Sequence, residues 1–403
     1  STPAPTQTSS GTEFSPPAAR SYRGSTRIQA SEGQLLRRTP IRRLLSTRQT
    51  DIGGRRGGSA RRPGARPSNK DRATASSSTE VEVRRVAWQS TYARVSTIGR
   101  TGERAFVLVP GIGVSSNYFE RLAAQLNGYG PVHALDLPGF GGVPHPKSRR
   151  MTIADYADLV GKVVDDLNLV DPVLVGHSMG TQVVADLAAR YPQGFAGEAV
   201  GRGPLSSIVL LGPVLSPDQR RLSRATGRFL TAARKEPPRV AILATEAYLL
   251  CGVRWFSRVL PEMMHYPIEE TLPKVRSNTL VISGALDALC PPEWIDQVME
   301  LLPSGRVEII EQAAHSIMHA HADTVSALAV AHVQHPGTDP LPKTVADRAT
   351  DGDSGGSSPD GAAEFTGQGT ELAGILTDDD DKIAEGKTAQ AQAIAEAAAD
   401  DPN

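Results

Sequence analysis

Two short runs, Phe106-Val-Leu-Val109 and Pro172-Val-Leu-Val175, are apolar at every position, with no polar residue alternating in. A strand wet on one face alternates, so these two have to be covered on both faces, as strands are inside a parallel sheet. Parallel neighbours cannot be joined by a tight turn and need a crossover, usually a helix. The chain supplies that rhythm. Strand patterns fall at Val81–Val86, Tyr92–Ser96, Ala105–Val109, Val132–Leu135, Pro172–Val175, Ser207–Leu211, Thr279–Ser283 and Val307–Ile310. Helical patterns lie between several of them, at Asn117–Leu126, Ile153–Leu167, Thr181–Arg190 and Glu293–Leu301, with another after His319. The first two runs are close enough to pair as an edge hairpin. The expected fold class is α/β: a mostly parallel central sheet with helices on both faces.

Charge marks the limits of that body. The net charge of −1 conceals a basic head and an acidic tail. Residues 1–80 hold 15 Arg/Lys against 5 Asp/Glu, residues 336–403 hold 4 against 15, and residues 81–335 hold 24 of each. The stretch Gly53 to Arg72 has almost nothing to bury, and the tail carries Gly-, Ser- and Asp-rich stretches with the run Asp378 to Lys382 (DDDDK). The reading is a disordered basic extension over 1–79, a globular domain over 80–335 and a disordered acidic extension over 336–403. Within the tail, the Ala-rich stretch Gln390 to Ala399 is expected to make at most a marginal helix. A leucine- and arginine-containing island, Gln34 to Ser46, points to weak electrostatic contact of the basic tail with anionic surfaces. No specific nucleic-acid binding is expected.

The two cysteines, Cys251 and Cys290, make neither a disulfide framework nor a metal-ligand spacing. No apolar stretch approaches the roughly 18 residues of a membrane span, and no apolar secretory core follows the basic N-terminal residues. A cytoplasmic setting is the expectation. From 216 to 277 no convincing strand appears, only the helical patterns Arg220–Ala233 and Val240–Leu250, interrupted by Pro237-Pro238, Pro261 and Pro267. An insertion that long between two strands is characteristic of an active-site lid, here a helical cap.

The chemistry enters at Pro172-Val-Leu-Val-Gly-His-Ser-Met-Gly-Thr181. The pattern G-x-S-x-G is weak alone; its context is informative, because an apolar strand runs into Gly176 and an apolar helix pattern starts after Gly180. Glycines on both sides permit a sharp turn that projects the Ser178 hydroxyl above the sheet at a helix N-terminus. Gly176-His-Ser-Met-Gly180 resembles the nucleophile elbow of the α/β-hydrolase superfamily. Further segments resemble its motifs in the same chain order: Val107-Leu-Val-Pro-Gly-Ile-Gly113, Ala134-Leu-Asp-Leu-Pro-Gly-Phe-Gly-Gly142, Ser283-Gly-Ala-Leu-Asp-Ala-Leu-Cys-Pro291 and Ala313-Ala-His315. The resemblance covers about residues 81–335.

A serine hydroxyl needs a base to take its proton, and the base needs a third group to fix its tautomer. His315 follows the last strand pattern by a few residues and is the expected base; His319 and His321 are rivals inside the next helical pattern. Asp287 directly follows Thr279–Ser283 and gives the order Ser, Asp, His; Asp218 is the alternative acid, and Asp136 is read as fixing its own loop. The resemblance implies an oxyanion hole made of the backbone amides of Ile112 and Met179, with Pro110 standing where the family usually has a histidine. It implies a serine hydrolase cleaving a carboxylic ester or related acyl bond through an acyl-enzyme, with no cofactor and no metal. The cap's Phe229, Leu230, Tyr248, Leu249, Leu250, Trp255, Phe256, Leu260, Met263 and Met264 favour a small apolar acyl or ester substrate. An acyltransferase or perhydrolase on the same scaffold, and a non-catalytic binding protein, are the competing readings.

Overall fold

Eight strands form one sheet in the order β1-β2-β4-β3-β5-β6-β7-β8. They are β1 (Val81–Trp88), β2 (Thr91–Ile98), β3 (Phe106–Val109), β4 (Val132–Asp136), β5 (Val173–His177), β6 (Ser207–Leu211), β7 (Asn278–Gly284) and β8 (Gly305–Ile310). The computed structural model describes residues 79–99, 104–147, 150–192, 205–214, 216, 217, 220, 231, 238–335 and 361–399. The basic extension and most of the pattern Arg220–Ala233 lie outside the described residues, as does Asp218.

β1 and β2 form the edge hairpin, and β2 is antiparallel to β4 as well. Every later pairing, from β4–β3 across to β7–β8, is parallel. Every residue of β3, β4, β5 and β6 is buried, which is why β3 and residues 173–175 of β5 are apolar without alternation. Helices α1 (Glu120–Leu126), α2 (Ile153–Asp166) and α3 (Met179–Arg190) follow β3, β4 and β5. Thr152 caps α2: its hydroxyl accepts from Asp155 N at 3.1 Å while the Asp155 carboxylate accepts from Thr152 N at 2.9 Å, satisfying two otherwise unpaired amides. One apolar cluster joins α2 and α3 to one face of the sheet, and a second joins α1 and the last helix of the body to the other.

Between β6 and β7 the chain forms α4 (Pro238–Cys251) and α5 (Val253–His265). Pro238 opens α4, where a missing N–H costs nothing. Pro261 was expected to interrupt the helical pattern, and it does not: it sits inside α5. Burial of Trp255, Val259 and Met263 on one side of that helix offsets the lost hydrogen bond, an instance of tertiary packing overriding local propensity. β7 and β8 are followed by α6 (Pro292–Leu301) and α7 (Ala322–Gln334).

Residues 361–399 of the acidic tail correct the expectation of disorder. Residues 361–399 form two helices, α8 (Gly361–Thr377) and α9 (Asp380–Ala399), turned back on each other at Asp378, whose φ is 57°. Their glycines are contact points. A Cβ on Gly386 would lie 2.4 Å from the Glu371 amide nitrogen, and one on Gly374 would lie 2.7 Å from that of Ile383. Close helix approach therefore uses the residues whose composition reads as flexibility. On helix propensity alone Gly386→Ala would gain about 1 kcal/mol; with backbone in the way it should instead destabilise by about 1–3 kcal/mol. A lowered melting temperature, with faster amide exchange across 361–399, is the expected result, and a raised one would contradict the contact.

Candidate active site

The parallel strands end on one edge of the sheet, where open α/β folds carry their sites. β5 ends at His177, and Ser178 occupies the turn into α3 with φ 56° and ψ −120°. A non-glycine residue there is strained and is held only when its surroundings insist. They do: Ser178 N donates to the Leu211 carbonyl of β6 at 3.0 Å, and its own carbonyl accepts from Thr181 N at 3.0 Å. A Cβ on Gly176 would fall 2.3 Å from the Gly180 carbonyl oxygen, and one on Gly180 would fall 2.2 Å from that of Val109. Both flanking glycines are thus required by contact. The second brings the first turn of α3 against the end of β3, so Met179 and the loop carrying Ile112 meet beside Ser178. Gly111 touches the serine directly: a Cβ there would sit 2.9 Å from Ser178 Cβ.

Asp287 lies three residues beyond β7 and His315 beyond β8. The structure brings them together, with His315 Nδ1 2.8 Å from Asp287 Oδ2. Asp287 is buried, and Leu289 N donates to its other oxygen at 2.8 Å. Burial alone would raise its pKa; the His315 ring and the donors around it outweigh burial and hold the carboxyl below its ordinary value. Gly212, at the end of β6, packs against the pair, since a Cβ there would lie 3.2 Å from atoms of both side chains. His319 and His321 do not share this arrangement. His319 is buried, and burial together with Arg121 and Arg239 pulls its pKa down to about 3. His321 precedes α7.

Two contributors were not identified from the sequence. His177, inside the elbow, places Nε2 3.2 Å from the His315 carbonyl oxygen. A carbonyl only accepts, so Nε2 carries the proton and His177 anchors the loop that carries His315. Burial, then the neighbouring His315, lowers its pKa to about 3, so it stays neutral. Cys290 donates its thiol to the Pro213 carbonyl at 3.0 Å. Among the described residues, Asp287, Cys290 and His315 are the group able to hold a metal ion, their donor atoms lying within 4.8 Å of one another. Burial, with the Asp287 charge next, pushes the Cys290 thiol well up, and Nδ1 of His315 already faces a carboxylate. That chemistry suits a hydrogen-bonded acid–base pair better than a metal-bound thiolate.

Asp136 holds the loop after β3 rather than its own: it accepts from Ser116 N at 2.7 Å, with the Arg94 guanidinium 3.6 Å away. Helices α4 and α5 pack on the loop after β3. Gly113, φ 74°, leaves room for the Tyr248 ring, which a Cβ would meet at 2.7 Å, and for Phe256 at 3.2 Å. Trp255 stacks on His145 with ring centres 4.4 Å apart. No single helix among the described residues is long and apolar enough to cross a membrane.

Comparisons with known proteins agree with this architecture. The chain is 25% identical over 242 residues, 55% of this chain and 89% of the relative, to a pimeloyl-[acyl-carrier protein] methyl ester esterase of Neisseria meningitidis serogroup B. Among solved structures, it is similar to a membrane phospholipase A described as a bacterial virulence factor, with TM-score 0.53, 21% identity and coverage of 70% of this chain and 91% of that one. It is also similar to a thermophilic esterase from Thermogutta terrifontis, with TM-score 0.52, 18% identity and coverage of 63% and 98%. At such identities the structural likenesses speak for the fold. The model of the alpha/beta hydrolase family matches residues 106–328, more than half of the chain and the whole run from β3 through the His315 loop, and the chain belongs to that family.

Proposed function

We propose that this enzyme cleaves carboxylic esters by nucleophilic attack of Ser178, with His315 as general base and Asp287 as the group that orients it. One observation carries the reading: a serine held at positive φ on the turn from β5 to α3, at the same sheet edge as a His–Asp pair bonded at 2.8 Å. Ser178 Oγ attacks the ester carbonyl while His315 takes its proton. The oxyanion is received by the amides of Met179 and Ile112, each worth roughly 3 kcal/mol. His315 then protonates the leaving alcohol, and water cleaves the acyl-enzyme by the same steps in reverse.

The ester bond is favoured by what the relatives' names say they act on, and the aromatic roof of Tyr248 and Phe256 over the Gly113 loop favours a small to medium apolar acyl group. The test is a fluorophosphonate probe together with aryl esters of graded acyl length. Stoichiometric labelling at Ser178, turnover that declines once the acyl chain outgrows the cap, and loss of both in Ser178→Ala are expected. Full activity in a correctly folded Ser178→Ala would overturn the assignment.

A further inference from the structure

The hairpin α8–α9 lies outside the residues matched to the family model, yet through buried polar contacts it reaches the loop after β3, which touches Ser178 at Gly111. Lys387 on α9 is buried, and its ammonium faces Glu371 on α8 at 3.0 Å. The same ammonium donates to Asn117 Oδ1 at 2.5 Å. The second Glu371 oxygen accepts from Gln390 Nε2 at 2.9 Å, so Glu371 is fixed as well. Burial would discharge Lys387, but Glu371, Asp136 and Glu120 hold its pKa above the ordinary value. Asn117 belongs to the short turn Ser116–Phe119 that continues directly from the Ile112 loop.

A second line of contacts runs in parallel. Arg85 on the edge strand pairs with Asp378 and Asp380 at the hairpin's tip. The buried Arg94 has Asp136 on one side at 3.6 Å and Asp380 on the other at 3.7 Å, and it donates to the Gly141 carbonyl at 2.8 Å. Asp136 in turn holds Ser116 N. Ile375 of α8 fills the space at Gly142, where a Cβ would approach it to 2.3 Å. The segment 112–117 is therefore gripped at Ser116 from the sheet and at Asn117 from the hairpin, and the segment 137–143 is backed by α8.

We propose that the C-terminal hairpin is a positioning element for the reaction at Ser178, acting through Lys387 on Asn117 and through Asp380 and Arg94 on Asp136 to fix the backbone that presents the Ile112 amide. The proposal rests on the ester-hydrolase reading above. A purely structural hairpin would also cover the β1 edge, as the bond from Val81 N to Thr388 Oγ1 at 2.9 Å shows it does. The two roles separate kinetically. An oxyanion donor acts on the transition state more than on bound substrate, so a misplaced Ile112 amide lowers kcat and leaves KM nearly constant.

Two variants of the full chain make the test. Lys387→Met/Glu371→Gln removes the charge pair together, a change that leaves buried pairs near neutral in stability. Asn117→Ala removes the receiving group and leaves the pair intact. Each is expected to lower kcat for a short aryl ester about tenfold, with KM within about twofold and Ser178 still labelled stoichiometrically by the fluorophosphonate. If either folded variant turns over at the wild-type rate, the hairpin does not position the loop and the proposal is wrong. Should the double variant fail to fold, Asn117→Ala decides alone. A wild-type protein that neither labels nor hydrolyses esters would instead overturn the underlying reading, so the two failures are distinguishable.

Discussion

Asp287→Asn is expected to lower kcat for an aryl ester about 10,000-fold while the protein stays folded and KM changes little. The size follows from what the carboxylate does at this site. Asp287 Oδ2 accepts from His315 Nδ1 at 2.8 Å; in the proposed mechanism this fixes the tautomer whose Nε2 lone pair receives the serine proton. An amide of the same shape offers either a weaker acceptor or a donor, and the donor turns the ring to the tautomer that cannot act as a base. The buried acid is also held in its charged form, below the ordinary carboxylate value, by the His315 ring and its donors, so its charge stabilises the imidazolium as that forms. Steady-state kinetics on both proteins, with circular dichroism to show an unchanged fold, make the check. Activity within tenfold of wild type would mean that another carboxylate orients His315, and Asp218 would be the first to replace.

The sheet was legible because its signal is local. Full burial on both faces makes β3 and most of β5 and β6 continuous apolar runs, and all eight strand patterns fall within two residues of the observed strands. The placement of Ser178, Asp287 and His315 at one sheet edge was legible for a related reason: each follows a strand, and parallel strands deliver their ends to one edge. What was missed depends on contacts across long separations. Arg85 meets Asp380 across 295 residues and Lys387 meets Asn117 across 270; no window of sequence contains both partners. Gly367, Gly374 and Gly386 read as chain flexibility and serve as close helix contacts. Even DDDDK has a local role, since Asp379 accepts from Lys382 N at 3.1 Å and acidic residues stand at the N-terminus of α9, where the helix dipole favours them. The signal available was complementarity: a basic edge strand on a body whose tail is acidic.

A second large effect concerns acid. His133, His177, His319 and His332 are all buried, and burial first of all lowers their pKa values, to about 4, 3, 3 and 4 in turn. At His332, Nδ1 accepts from the Arg306 guanidinium at 2.9 Å and Nε2 donates to the Asn278 carbonyl at 3.1 Å, so a second ring proton would face an arginine. The folded-state values lie below the unfolded value of about 6.5, so between about pH 6.5 and 4 the unfolded chain binds more protons than the folded one. Stability is therefore complete above about pH 7.5 and lost as pH falls, by roughly 1 kcal/mol per histidine between pH 6.5 and 5.5. Four such groups together remove on the order of 4 kcal/mol, a large share of the 5–15 kcal/mol a domain usually has. Thermal melts at pH 7.5, 6.5 and 5.5 should show a modest drop over the first step and one about three times as large over the second. His133→Gln, which removes one of the four titrating rings, should flatten the drop by about a quarter; a melting temperature constant down to pH 5.5 would mean that these rings accept protons within the fold.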